Sequence, residues 1–476
     1  MAEKLKRQYD LLALRVAMDL SGDVPQVGIK LQGRSDGQLG LVAVWAIEAA
    51  AIGLPERLER SCTTYQGVSF EFPSEILDSL KAVMADSEYS DRPLWLHLAK
   101  PIGYLNLVPW EQLLQPALNT PILRLPDFVA NPPRESMQSL EVALCGSVPT
   151  AKAAFTAVDH LAGMAQHLLN TVPRRTTVHI FCDADLFSGV SQRVASMGLH
   201  DVHVHDPAEA ESFAPAERQY ALTDRSNRVR NPWLLWMREA LSGRSVDMVH
   251  FLTHGYISRD SGALAFAESP LENQDNRIAR FVGASELLAF FTQVGAWCAA
   301  FSSPEYNYSE MGLRLLADSI AQMRPGPVLH HEMRLDEDSV ALVGAYRFLF
   351  GRGGAQPPNS QALFTYCHPS LLEQPKRVVR RKRRAIRGGP LPPLQPEDMI
   401  SDVYQQAESV PSWLGSSQRY LEQRRSDVKQ MKQQEETSSD RSAPTPIDNA
   451  QVIEDTLRQI EKTLGNVLVS KSLGEK

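Results

Sequence analysis

Between residues 136 and 370, short apolar stretches alternate with amphipathic helical patterns, and few architectures accommodate that alternation. Residues 140–144, 177–182, 201–205, 247–253 and 294–300 read as strands, the last of them closing the series. Residues 157–169, 186–197, 233–241 and 311–323 carry apolar positions at helical spacing between or after them. Strands joined by helical crossovers favour an α/β fold, a mostly parallel sheet flanked by helices on both faces. In such sheets function gathers just beyond the carboxyl ends of the strands.

The segment 1–135 reads as a mixed α+β zone. Residues 41–52 suggest a helix, while 68–72 and 94–98 alternate as half-buried strands do. Residues 371–395 form a basic, Pro/Gly-rich linker, and 396–476 read as a helical, partly flexible extension. Eight of the twelve residues from Lys376 to Arg387 are basic, enough to suggest contact with nucleic acid or an anionic membrane surface. In the extension, Ile453, Leu457, Ile460, Leu464 and Val467 recur at steps of four and three. Such a seam suits docking on a protein partner, with Asp448 as the N-cap. The net charge of −7 gives no overall pull toward nucleic acid, so any such pull is local. No apolar run reaches the length of a membrane span, and the first residues lack the apolar core of a signal peptide. The five cysteines, Cys62, Cys145, Cys182, Cys298 and Cys367, show no metal-ligand spacing and suit a reducing cytoplasm. No metal or cofactor is expected.

Two stretches carry the functional signal. His250-Phe251-Leu252-Thr253-His254-Gly255 reads as a strand ending in His-Gly, and Ala299-Ala300-Phe301-Ser302-Ser303 as the end of the next core strand. With Pro109-Trp110-Glu111-Gln112-Leu113 upstream and Pro325-Gly326-Pro327-Val328 downstream, the chain resembles the CHAT family of caspase-like domains over roughly residues 90–370. The resemblance implies a cysteine peptidase fold in which His254 is the dyad histidine and the Gly255 amide lies in the oxyanion hole. A thiolate would attack the peptide carbonyl while the imidazole holds the thiol deprotonated. Where that family carries its cysteine, this chain presents Phe301, which implies a degenerate pseudo-peptidase serving bacterial signalling or defence.

Three alternatives stay open on sequence. Phe301 occupies the nucleophile position; or Cys298 is the nucleophile and the strand ends three residues earlier; or Ser302 or Ser303 replaces the thiol, activated by His254. Turn residues beginning at Ser302 favour the first. Ser302, Ser303 and Asn307 then belong to a polar loop over the cleft. Asp183 and Asp185 could line a pocket for a basic side chain, or Asp183 could turn the chain. His250 reads as a buried, hydrogen-bonded core residue. His330 and His331, adjacent on a strand, point to opposite faces and cannot share a metal.

Overall fold

The computed structural model describes residues 5–6, 9, 11–35, 38–54, 69–85, 92–100, 102, 104–126, 139–147, 151–213, 229–258, 261–271, 279–304, 310–351 and 355–372. Asn307, Cys62, the basic run from Lys376 to Arg387 and the extension 396–476 lie outside the described residues. The described residues belong to one compact unit.

The chain begins with an antiparallel meander, β1 (Ala13–Asp19), β2 (Gln26–Ser35) and β3 (Gln38–Glu48). The helix expected over 41–52 is therefore strand β3 followed by one 3-10 turn at Ala49–Ile52. Val42, Val44, Trp45 and Ile47 are β-branched or aromatic, and pairing along the whole of β2 outweighs the helical spacing. Helix α1 (Ser74–Met84) follows; of the strand expected over 68–72, the described residues from Ser69 onward are irregular and lead into it. Strand β4 (Leu94–Ala99), helix α2 (Trp110–Leu118) and strand β5 (Ile122–Arg124) complete this part.

Next come β6 (Ser139–Ser147), α3 (Ala151–Thr171), β7 (Arg175–Cys182), α4 (Ala184–Ser196), β8 (Val202–Val204) and α5 (Pro232–Ala240). Strand β9 (Met248–Ser258) opens a hairpin with β10 (Ser261–Ala267), which carries β11 (Ala279–Gly283) on its other edge. Helix α6 (Ala284–Gln293), β12 (Cys298–Ser303), α7 (Glu310–Met323), β13 (Val328–Glu332), α8 (Val340–Phe350) and β14 (Leu363–Tyr366) follow.

Among the described residues the main sheet runs β3-β2-β1-β4-β5-β14-β13-β12-β9-β6-β7-β8. From β12 to β8 every pair is parallel, β14 is antiparallel to β13, and β14 joins β5 so that the N-terminal strands share the same sheet. The fold is α/β, as the alternation predicts, but the series does not close at residues 294–300. The strand there begins only at Cys298, after a turn whose Gly295 has φ +64°, and two further strands follow it.

Both sheet faces are apolar, and parity assigns them. Val142, Leu144, Ile180, Leu252, Cys298 and Ala300 pack on one side, under α3, α4 and α8. Phe181, Val249, Phe251, Ala299 and Phe301 pack on the other, under α5, α6 and α7. Helix α7 approaches the β9–β10 hairpin through glycine: a Cβ on Gly312 would stand 2.7 Å from the Tyr256 backbone. No helix among the described residues is long and apolar enough to cross a membrane.

Candidate functional site

Strands β9 and β12 lie side by side and parallel, so their carboxyl ends open on one edge of the sheet. Cys298 stands opposite Met248, Phe301 opposite Phe251 and Ser302 opposite Leu252. Continuing that register by two residues brings Pro304 level with His254. Cys298 is six residues earlier on the ladder than His254, a separation of about 20 Å at the rise of a strand. It is wholly buried. The two side chains therefore do not form a dyad in this arrangement.

Phe301 is not beside His254 either. It is wholly buried on the opposite face, stacked on Phe251 with ring centroids 6.0 Å apart. The strand continues past it, so Ser302 and Ser303 are buried strand residues rather than parts of a cleft loop. The turn residues do not mark the strand end here, because the Ser302 hydroxyl finds partners inside the sheet.

His254 sits where β9 leaves the main sheet for its hairpin, opposite Ala265, with Gly255 opposite Leu264. Burial pushes the His254 imidazole down to about 4, so it is neutral at pH 7. Cys145, Cys182 and Cys367 are buried and their pKa values are raised by that burial, away from the thiolate. Asp183 caps α4, its Oδ1 accepting from the Leu186 amide at 3.1 Å, and burial raises its pKa to about 7. Asp185 is exposed in the first turn of that helix, so the two carboxyls share a helix start rather than a pocket wall.

The Pro-Trp-Glu segment is used in packing. Trp110 Nε1 donates to the Leu105 carbonyl at 2.7 Å, and Gln112 Nε2 donates to Glu332 at 2.7 Å. Glu111 takes two hydrogen bonds from Arg124, at 2.7 and 2.8 Å.

The structure instead gathers polar groups around Ser302, a site not apparent in the sequence. Tyr346 hydroxyl lies 2.7 Å from His250 Nδ1, His250 Nε2 lies 2.8 Å from Ser302 Oγ, and Ser302 Oγ lies 3.0 Å from His331 Nδ1. His331 Nε2 in turn meets Asp336 Oδ2 at 3.1 Å. The directions follow from the acceptor at the far end. Asp336 fixes the proton on His331 Nε2, which leaves Nδ1 to accept the Ser302 hydroxyl. Ser302 Oγ then accepts from His250 Nε2, whose Nδ1 accepts the Tyr346 hydroxyl. Every donor in this row has one acceptor, with the His250 imidazole neutral.

Burial, helped by His331, pushes His250 down to about 3. Burial alone would raise Asp336, but bonds from His331 and from the Ala341 and Leu342 amides hold it below its ordinary range. Beside the chain's end lies a cavity of about 180 Å³ bordered by His160, Gly163, His167, His331 and Asp336. Ser302 does not line it.

His330 faces the other way, as adjacent strand residues must. It stacks on Phe364 at 4.8 Å, its Nε2 buried without a hydrogen-bond partner. Burial, with Arg314, His331 and Arg124 nearby, holds its pKa well below the ordinary value. A group bound to fewer protons folded than unfolded gives stability that is lost as pH falls below about 6.5. His330→Phe is accordingly expected to stabilise the protein by about 1–3 kcal/mol, more at pH 5 than at pH 7. Urea unfolding at the two pH values checks this; a variant no more stable than wild type at pH 5 contradicts it.

No protein-family model matches the chain, and no curated protein matches it.

Proposed function

We propose that this chain is a caspase-like domain of the CHAT type that has lost its cysteine nucleophile and works as a pseudo-peptidase. Its role on this reading is that of a scaffold or regulator in a bacterial signalling or defence assembly. The register of β12 on β9 is the observation that carries the proposal. The strand that carries the His-Gly pair, which runs on to Ser258 rather than ending there, and the strand expected to present the nucleophile are parallel neighbours, which supports the reading. At the level of His254, however, the chain offers Pro304, just past the end of the second strand. Serine does not take over the reaction, because Ser302 is fully buried and already engaged by two histidines. The active-dyad alternative of His254 with Cys298 is disfavoured by the same register.

Peptide-library cleavage and thiol labelling of the full chain test the reading. The native protein is expected to cleave nothing, and Cys298 is expected to escape iodoacetamide until the protein unfolds. A cleavage activity that disappears in His254→Ala, or rapid labelling of Cys298 in the folded protein, would overturn it.

A further inference from the structure

The main sheet has two ends, and the chain treats them differently. At one end β8 is only three residues long, Val202–Val204, and so short an edge gives another chain little to pair with. At the other end β3 runs for eleven residues, Gln38–Glu48, an edge about 36 Å long. Among the described residues β3 pairs with β2 alone, so every second residue turns its N–H and C=O away from the sheet. Sheet proteins guard such an edge with lysine, proline or a bulge. Here Leu31 stands opposite Ala43 and Gln32 opposite Leu41, so a bulge leaves Val42 as the extra residue, while pairing from Ala43 to Glu48 is regular. β3 has neither lysine nor proline, and its last residue, Glu48, is its only charge.

The side chains along this edge are apolar as well. Leu41, Val42 and Val44 are 58%, 37% and 52% exposed. With Leu20 and Val24 in the β1–β2 connection they make five of the eight large apolar residues exposed among the described residues. The other three, Phe281, Met323 and Val340, lie on separate elements. Ala43, Trp45 and Ile47 pack instead against the core that β1, β2 and α1 build beneath the meander. The strand is thus anchored on one face while its edge and its other face stay open to a further strand.

We propose that two copies of this chain pair antiparallel through β3 about a two-fold axis, joining their sheets into one. An antiparallel pair is symmetric about such an axis, so each outward N–H of one copy finds an outward C=O of the other. Charge favours a second copy over an unrelated strand. From Gly40 to Ile47 the edge carries no charge of either sign, so a copy meets no like charge there, while a charged partner strand would find no counter-charge. The contact is also closed, because it uses the same edge in both copies and stops at the dimer. An edge of this length buries on the order of 500 Å² on each chain, flanking side chains included, at the small end of specific interfaces. Main-chain hydrogen bonds add to that limited area, so a reversible, micromolar dimer is expected.

Sedimentation velocity of the full chain across the micromolar range is the test, and a reversible monomer–dimer equilibrium is expected. Val44→Glu is expected to weaken the dimer at least about tenfold, because glutamates from both copies meet near the two-fold axis. Within one chain residue 44 stands opposite Lys30 on β2, so the glutamate gains a cross-strand partner of opposite charge and the fold is kept. Should Val44→Glu lose the fold by circular dichroism, Leu41→Glu, opposite the neutral Gln32, is read in its place with the same expectation. Val340→Glu, at an exposed apolar residue of α8, is expected to leave the dimer unchanged. A native chain that stays monomeric throughout, a dimer undiminished by the edge substitution, or equal weakening by Val340→Glu would each overturn the assignment.

Discussion

Replacing Arg124 with methionine is expected to destabilise the protein by about 3–5 kcal/mol at pH 7. Arg124 is wholly buried and holds two buried carboxylates at once. Its Nε and Nη2 form a two-pronged pair with Glu111, and its Nη1 reaches Asp318 at 2.7 Å. Burial would lower the guanidinium pKa, but the two carboxylates outweigh it and hold the group charged. The ring of Phe364 lies under the guanidinium at 4.1 Å. Arg124 also stands opposite Tyr366 in the β5–β14 pairing, the junction through which the N-terminal strands join the rest of the sheet. Methionine keeps much of the volume and removes the charge, leaving Glu111 and Asp318 buried without their cation. The loss therefore measures stranded carboxylates more than the net worth of the ion pairs. Adding Glu111→Leu and Asp318→Leu to Arg124→Met is expected to recover most of the stability, since an apolar replacement of a whole buried ionic cluster is often neutral or better. Urea unfolding of the single and triple variants decides the matter. A single variant within 1 kcal/mol of wild type would show that the cluster is hydrated or already neutral.

The same cluster marks how far the sequence could be read. The α/β class was legible because buried parallel strands are short apolar runs: 140–144 and 177–182 lie within observed strands, and 247–253 does so from Met248 on. Apolar run length alone misjudged residues 41–52, where strand pairing outweighed helical spacing, and residues 294–297, which form a turn before β12. The consequence for the site was larger than the error in boundary. A strand over 294–300 presents Phe301 at its exit, whereas one begun at Cys298 carries Ser302 and Ser303 into the sheet and moves the position beside His254 to Pro304. Asp183 gave a correct local signal for a helix cap, which needs only its own neighbours. Asp318 lies far along the chain from Glu111 and Arg124, and His250 and Ser302 lie far from each other and from the stretch that holds His331, Asp336 and Tyr346. Partnerships of that kind depend on which strands become neighbours, and no local spacing encodes them.

Ser302→Ala is expected to cost about 2–4 kcal/mol, the second large effect, because it breaks the polar chain at its middle and leaves groups on both sides unpaired. His250 Nε2 loses its acceptor and His331 Nδ1 loses its donor, and both rings are 1% exposed, too little for solvent to replace what is removed. Ser302→Cys is expected to lose less, since a thiol keeps a weak donor and acceptor at the same place. The direction of the pH dependence follows from His250, whose folded pKa lies below its unfolded value. Its contribution is present above about pH 6.5 and is lost as pH falls toward 3. In the alanine variant His250 is expected to protonate more readily on opening, so acid unfolding should begin at higher pH than in wild type. The same substitution separates a structural serine from a catalytic one. If Ser302 is a core residue, wild type should not react with a fluorophosphonate probe, and the alanine variant should show lower stability with unchanged partner binding at temperatures where it remains folded. Covalent labelling of Ser302 in the folded protein, together with undiminished stability of Ser302→Ala, would identify it instead as a nucleophile served by His331 and Asp336.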